Sequence, residues 1–262
     1  MIDGWQWDST LFKGSAGYYE RGRLPYAPGF ADRLAKILGL DGSGRLLDAG
    51  CGPGTVTLAL APFFAEAVGV DPDEDMLAEA SRRGIANASW VLARAEDLPA
   101  GLGVFRTVVF ANSFHWTDRD RVAATVFTML EPGGAFVHMS DLKDSSGESA
   151  LYGQIRSLVR AYLGPVRRAG QGTLPNGTPG GEDLVLANAG FVDFERHIVD
   201  SGQTVERNAD DVVAWVFSRS ASAPHLFGDR LAAFERDLRA LVPAAFVERV
   251  PSTEIKVWRT PN

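Results

Sequence analysis

Cysteine is nearly absent: Cys51 is the one thiol among 262 residues, so no disulfide can close within the chain. That usage fits a reducing compartment. Histidine is scarce too, with four residues. None of them stands with Cys, Asp or Glu at metal-ligand spacing, so no metal is expected. Long apolar runs are missing. The longest, residues 58–70, is broken by Pro62 and Glu66 and falls short of the ~20 residues that span a bilayer. The first fifteen residues are charged and lack an apolar core, which argues against a secretory signal. Basic charge is in deficit, with 26 Lys and Arg against 33 Asp and Glu and a net charge of −7. Arg82-Arg83 and Arg167-Arg168 are its densest basic spots, too short for a phosphate-backbone binder. The expectation is a cytoplasmic protein that partners neither nucleic acid nor membrane. Its 45% hydrophobic content suffices for a core.

What is present is alternation. "APGFADRLAKILGL" reads as an amphipathic helix, with Phe30, Leu34 and Ile37 at helical spacing. "RLLDAG" reads as a buried strand that runs into a glycine turn and a helix from about Thr55. "EAVGVD" is the next strand, ending at Asp71. "PDEDMLAEASRRG" is a helix with acids in its first turn and arginines in its last, the order that suits the helix dipole. "SWVLA" and "TVVFAN" are further strands. A helix between Asp118 and Glu131 is stopped by Pro132-Gly133-Gly134, and "AFVHMS" is the strand after it. Strands alternating with helices over residues 28–140 predict an α/β, doubly wound, mostly parallel sheet, with ligands at the carboxyl ends of its strands. Residues 141–250 read as a mainly helical cap, with helices near 148–163, 182–189, 208–218 and 229–241 around the loop "GQGTLPNGTPGG". "FVDFERHIVD", near 191–200, and the segment 251–262 are expected to complete the sheet as an antiparallel edge.

The loop "LLDAGCGPGT" places Gly50, Gly52 and Gly54 after the first strand. A dinucleotide loop follows G-x-G-x-x-G, because the helix start receives a pyrophosphate. Here the spacing is G-x-G-x-G, and Asp48 precedes it. A carboxylate repels pyrophosphate and attracts an ammonium, which favours S-adenosylmethionine. Asp71, at the end of the second strand, can accept both ribose hydroxyls, a device shared by both cofactors. In "ARAEDLP", Ala95 can offer a backbone N–H and Glu96 a carboxylate to adenine's edge.

"LLDAGCGPGT", "VGVDPDEDML", "AEDLP" and "LEPGGAF" together resemble the ordered motifs of class I S-adenosylmethionine-dependent methyltransferases, in the type 11 group. "GYYERGRLPYAPGF" and "SFHWTDRDRV" are similar to the trans-aconitate methyltransferase-like branch. The resemblance implies a Rossmann-like fold with a helical substrate cap, and S-adenosylhomocysteine as product. It implies that Asp48, Ala49, Gly50, Cys51, Gly52, Asp71, Pro72, Met76, Ala95, Glu96 and Asn112 line the cofactor. It also places residues 1–27 as a lid, in which Arg23 meets the cofactor's α-carboxylate and Tyr19 lines the pocket. Tyr18, Phe114, Trp116 and His225 are expected in the substrate pocket. This chain departs from the family pattern at Arg94 and Arg106, where an acid is common.

His115 lies just past the fourth strand, where a neutral imidazole can take a proton from an attacking hydroxyl or amine. The competing reading makes His115 and Trp116 structural. Cys51 reads as a small loop filler, His138 as core, His197 as exposed on an edge strand. Trp215, Phe217 and Phe227 read as the core of the cap, with an aromatic wall for a flat substrate as the alternative. The reaction expected is in-line methyl transfer to an oxygen, nitrogen or carbon of a small-molecule acceptor, driven mainly by proximity and orientation. One alternative is a non-catalytic S-adenosylmethionine-binding module. An NAD(P)-dependent oxidoreductase fits less well, since no Tyr-x-x-x-Lys is present and Tyr152 is followed by Arg156. A nucleic-acid methyltransferase is disfavoured by the acidic charge.

Overall fold

The computed structural model describes residues 8–142, 149–170, 172–174, 176–177 and 180–262. The first seven residues of the expected lid lie outside the described residues, as do residues 171, 175, 178 and 179 of the Gly- and Pro-rich loop and 148, the expected start of a helix. The chain divides into two compact units. A sheet unit comprises residues 27–142, 180–200 and 252–262; a second, helix-rich unit comprises 1–26, 143–179 and 201–251.

In chain order, α1 (Ala16–Gly22) and α2 (Phe30–Leu38) come first. Then follow β1 (Arg45–Ala49), α3 (Thr55–Leu60), β2 (Glu66–Asp71), α4 (Glu74–Arg82) and β3 (Ala88–Leu92). β4 (Phe105–Ala111), α5 (Arg119–Met129) and β5 (Leu130–Leu142) continue the alternation. Next are α6 (Ala150–Leu163), β6 (Arg167–Ala169), β7 (Gly172–Leu174), α7 (Glu182–Asn188) and β8 (Val192–Val199). β9 (Thr204–Arg207), α8 (Ala209–Phe217), α9 (Leu231–Leu241), β10 (Phe246–Arg249) and β11 (Ser252–Arg259) close the series.

Seven strands form the main sheet in the order β3-β2-β1-β4-β5-β11-β8. The first five run parallel. From β1 the chain winds outward to β2 and β3, then returns to β4 on the other side. That reversal opens a crevice at the carboxyl ends of β1 and β4. The central strands are apolar because helices cover both faces. Leu46, Leu47, Val108, Val109 and Phe136 have no accessible surface. Each such side chain contributes ~1.5–3 kcal/mol of transfer free energy.

Two local expectations are corrected. α5 runs directly into β5, so Pro132-Gly133-Gly134 lies inside the first stretch of that strand, at a register shift against β4. The strand absorbs the punctuation as an irregularity. The reversed strand is β11, which is antiparallel to both β5 and β8. It lies one position in from the edge; β8, at the edge, runs with the parallel set.

In the helix-rich unit, Ile155, Phe217, Phe227, Phe234 and Leu238 form one buried cluster, and Trp215 packs against it. Ser15 Oγ ties α1 to α8 by donating to the Phe217 carbonyl at 2.7 Å. α8 begins at a reciprocal cap, where Asn208 accepts from the Asp211 N–H and Asp211 from the Asn208 N–H. An antiparallel hairpin, β6–β7, and an antiparallel pair of strands distant in sequence, β9 and β10, accompany the helices. α7 and β8 belong to the sheet unit. No helix among the described residues is long and apolar enough to cross a membrane.

Candidate functional site

β1 delivers Asp48 and Ala49 into the glycine turn, and α3 leaves it. The Gly50 and Cys51 N–H groups both donate to the Val70 carbonyl, at 2.8 and 3.0 Å, which docks the turn on the end of β2. Gly50, Gly52 and Gly54 have φ of +70°, +54° and +76°, the left-handed region that a Cβ penalises. Their surroundings differ. A Cβ on Gly50 would stand 2.5 Å from Ser113 Cβ, and one on Gly54 would stand 2.6 Å from Trp90 Cη2. Those two glycines let other parts of the protein close in. Gly52 is different: a Cβ there would meet nothing within 4 Å. The open side of the loop is at Gly52.

Asp71 caps this opening. Its Oδ2 accepts from the Gly52 N–H at 2.8 Å and its Oδ1 from the Asp73 N–H at 3.0 Å. Each oxygen retains a lone pair for a ligand hydroxyl. Burial pushes the Asp71 carboxyl up to about 6 against the two stabilising N–H bonds. Asp48 lies deeper, with Oδ2 accepting from Thr57 Oγ1 at 2.6 Å. Its Oδ1 is buried without a hydrogen-bond partner. Burial, with Asp71 adding repulsion, pushes Asp48 up to about 7 despite the Thr57 bond. Cys51 is buried beside both, and its thiol is pushed well above its ordinary value by burial and the two aspartates. That suits a filler and opposes a nucleophile. Pro72 follows Asp71 half-buried, and Met76 is buried with its N–H donating to Asp73 Oδ1.

Ala95 and Glu96 form a short helical turn after β3. Glu96 also braces the fold: its Oε1 accepts from the Asp118 N–H at 2.8 Å, just ahead of α5. Arg121 returns the connection by donating to the Glu96 carbonyl at 2.9 Å. The two departures from the family pattern are structural. Arg94 pairs with Asp97 at 2.8 Å. Arg106 donates to Asp41 and to the Gly39 carbonyl, at 2.5 and 2.8 Å.

After β4, Asn112 takes a φ of +54°, and its N–H donates to the Met139 carbonyl at 2.9 Å. Phe114, expected in the substrate pocket, is corrected to core. It has no accessible surface and packs edge-on to Phe110 and Phe136, at 5.1 and 5.2 Å between centroids. His115 and Trp116 remain half-buried, their rings 5.4 Å apart. His138 is held low by burial among the central strands. His197, expected to be exposed, is half-buried between Glu195 and Arg33, at 3.0 and 3.5 Å.

The structure thus brings Asp48, Ala49, Gly50, Cys51, Gly52, Asp71 and Pro72 together within the sheet unit. Tyr18, Tyr19, Arg23 and His225 belong to the other unit. There Arg23 lies over the Tyr19 ring at 4.9 Å and donates to the Ser218 carbonyl at 2.9 Å. Tyr18 packs edge-on to Phe217 at 5.2 Å, and His225 Nδ1 lies 3.1 Å from the Lys13 carbonyl. Sequence reasoning missed Thr57, Ser113 and Trp90. Thr57 stands nine residues after Asp48, and only the fold of the turn brings their side chains together. No group of three or more His, Cys, Asp or Glu side chains among the described residues is placed to hold a metal.

Residues 46–134 match the family model described as a methyltransferase domain. The chain is 30% identical over 194 residues to an uncharacterized methyltransferase of Mycobacterium tuberculosis, covering 74% of this chain and 71% of that protein. It is also 30% identical over 159 residues to trans-aconitate 2-methyltransferase of Delftia acidovorans, covering 55% of this chain and 56% of that protein. In fold it is similar to phosphoethanolamine N-methyltransferase 2 of Haemonchus contortus, solved in complex with S-adenosyl-L-methionine. The TM-score is 0.51 at 16% identity, over 100% of this chain and 59% of that one.

Proposed function

Because the chain belongs to the S-adenosylmethionine-dependent methyltransferases, we propose that it methylates an oxygen, nitrogen or carbon of a small-molecule acceptor through the site at Gly52 and Asp71. One observation carries the assignment of the site. Beside the switch point of the sheet, at the end of β2, an aspartate fixed by two backbone N–H groups stands next to a glycine whose side is open. An adenosyl ribose fits that arrangement, with its vicinal hydroxyls donating to Asp71. The buried, unpartnered Oδ1 of Asp48 fits the ammonium end of the same molecule.

The bound cofactor supplies an electrophilic methyl on a sulfonium. The residues of the chain bind and orient. Asp71 accepts from the ribose, Asp48 offers charge to the amino-acid end, and Ala95 offers a backbone N–H to the adenine edge. Ala49, Gly50, Cys51, Pro72, Met76 and Asn112 complete the surroundings of the cofactor in this reading. His115 is the base in this reading where the acceptor must lose a proton. Sulfonium chemistry needs little acid–base help, so alignment and exclusion of water are the main contributions of the protein. The acidic balance of the chain and its lack of basic runs support a small acceptor over a nucleic acid. The relative named trans-aconitate 2-methyltransferase supports a place near that branch. The single cysteine supports a cytoplasmic setting.

The test is isothermal titration with S-adenosylhomocysteine, followed by transfer of labelled methyl to a panel of acids, amines and phenols. Wild type should bind and Asp71→Ala should not. Equal binding by both would remove the site. Binding without turnover on any acceptor would favour the non-catalytic module.

A further inference from the structure

Several arginines gather in the helix-rich unit. Arg219 is acted on by Arg23, Arg167 and Arg156, and by no carboxylate among its main influences. β6, which begins at Arg167, packs against the turn 220–222 that Arg219 precedes. Arg219 lies over the Trp215 ring at 4.8 Å, and Trp215 is braced edge-on by Tyr152 at 4.7 Å. Arg23 is fixed beside it by its bond to the Ser218 carbonyl. Glu248 faces Arg207 at 3.6 Å. Three guanidinium nitrogens of the group are buried without an acceptor: Arg23 Nε, Arg167 Nε and Arg167 Nη1.

Gathering like charges and burying donors without acceptors both cost free energy. The cost is visible at Arg219. Arg219 is exposed as a residue, yet surrounding protein pulls its guanidinium down to about 10, and the neighbouring arginines add to the shift. Arg167 is lowered as well, by burial and then by Arg160. In a chain of net charge −7, such a concentration favours an anionic ligand. Guanidinium forks match the planar edge of a carboxylate or the oxygens of a phosphate, in paired hydrogen bonds.

We propose that Arg167 and Arg219, with Arg23 beside them, form a binding site for a small oxyanion of two or more negative charges, a dicarboxylate or a phosphate. The unpartnered donors of Arg167 and the guanidinium of Arg219 take the oxygens. Trp215 holds the Arg219 plane. This gives Arg23 a role other than the one the family resemblance implies. The site does not depend on the methyl-transfer reading.

The test titrates succinate and inorganic phosphate, separately and at low salt, into the full chain saturated with S-adenosylhomocysteine. At least one should bind saturably at one per chain. Arg219→Ala and Arg167→Gln should each weaken that binding about tenfold or more, and Arg219→Lys less. Preference for succinate identifies a carboxylate ligand; preference for phosphate identifies a phosphate. Absence of saturable binding by either probe overturns the proposal. So does unchanged binding in Arg167→Gln and Arg219→Lys together with Arg219→Ala. Binding that S-adenosylhomocysteine abolishes overturns it too, since the anion would then occupy the place of the cofactor's own carboxylate. Failure of S-adenosylhomocysteine to bind wild type is a separate result and counts against the proposed function alone.

Discussion

Thr57 Oγ1 donates a 2.6 Å hydrogen bond to Asp48 Oδ2. The residue it holds has 1% of its surface accessible. One turn of α3 thereby reaches back to fix the aspartate that precedes the glycine loop. Thr57→Val keeps the shape and removes the donor. It should lower unfolding free energy by about 1–3 kcal/mol, since a buried acceptor is left without its partner. Urea denaturation at pH 7 measures this.

The same carboxylate sets a pH dependence. Unfolded, Asp48 ionises near 3.8; folded, burial pushes it up to about 7. Between those values the folded chain holds a proton that the unfolded chain has released, so stability falls as pH rises. Asp71, pushed up to about 6, acts in the same direction over the lower part of that window. His138, lowered from 6.5 by burial, acts in the opposite direction below that value. Asp48→Asn removes one component and leaves the others. Its Tm should therefore decline less than that of wild type between pH 5 and pH 7 in ligand-free thermal melts. Parallel curves would show that Asp48 does not titrate in this range.

Cofactor binding should follow the opposite course. An ammonium and two ribose hydroxyls favour ionised Asp48 and Asp71. S-adenosylhomocysteine affinity should rise from pH 5.5 to pH 7.5 in wild type. The rise should be smaller in Asp48→Asn. A flat profile in wild type would argue that neither group changes charge on binding.

Two glycines of the loop should separate packing from binding. Gly54→Ala drives a Cβ to 2.6 Å from Trp90 Cη2, on top of a left-handed φ. It should cost several kcal/mol, of order ~2–4. Gly52→Ala meets nothing within 4 Å, so its cost is the backbone term alone, about 1 kcal/mol. Yet Gly52→Ala should lose most of its S-adenosylhomocysteine affinity. Melting curves and titrations on the two variants give both readouts. Full affinity in a folded Gly52→Ala would place the ligand elsewhere.

His115→Ala should bind S-adenosylhomocysteine normally and transfer methyl ~10²–10⁴-fold more slowly if the imidazole removes a proton. Near-normal turnover on the best acceptor would leave His115 a packing role beside Trp116.

Much of this site is legible in the sequence because its logic is local. A buried strand, a glycine turn and an acid at the end of the next strand are each encoded within a few residues. Asp48, Gly52 and Asp71 stand out for that reason. Phe114 does not, since nothing in "NSFHW" says which aromatic turns inward. That is decided by Phe110 and Phe136, on strands brought together by the fold. Glu96 reads as a ligand group, while its bond to the Asp118 N–H spans a loop and a strand. The position of β11 is hidden for a related reason. Two late strands of similar pattern carry no mark of which one pairs with β5. The arginine group is the extreme case. Arg167-Arg168 looks too short to matter, and its neighbours Arg23, Arg156 and Arg219 are scattered along the chain.

β11 has a consequence for how the sheet is finished. Among the described strands, β8 pairs with β11 alone, and β11 also covers the open side of β5. It acts as a keystone, set between strands that precede it by some fifty and more than a hundred residues. A chain cut before Ser252 would lose two strands from the array, and β5 would present a bare, apolar flank. Such a flank templates association with other chains. Shortened products of this protein should therefore clump before they unfold by any other route, and light scattering would detect it.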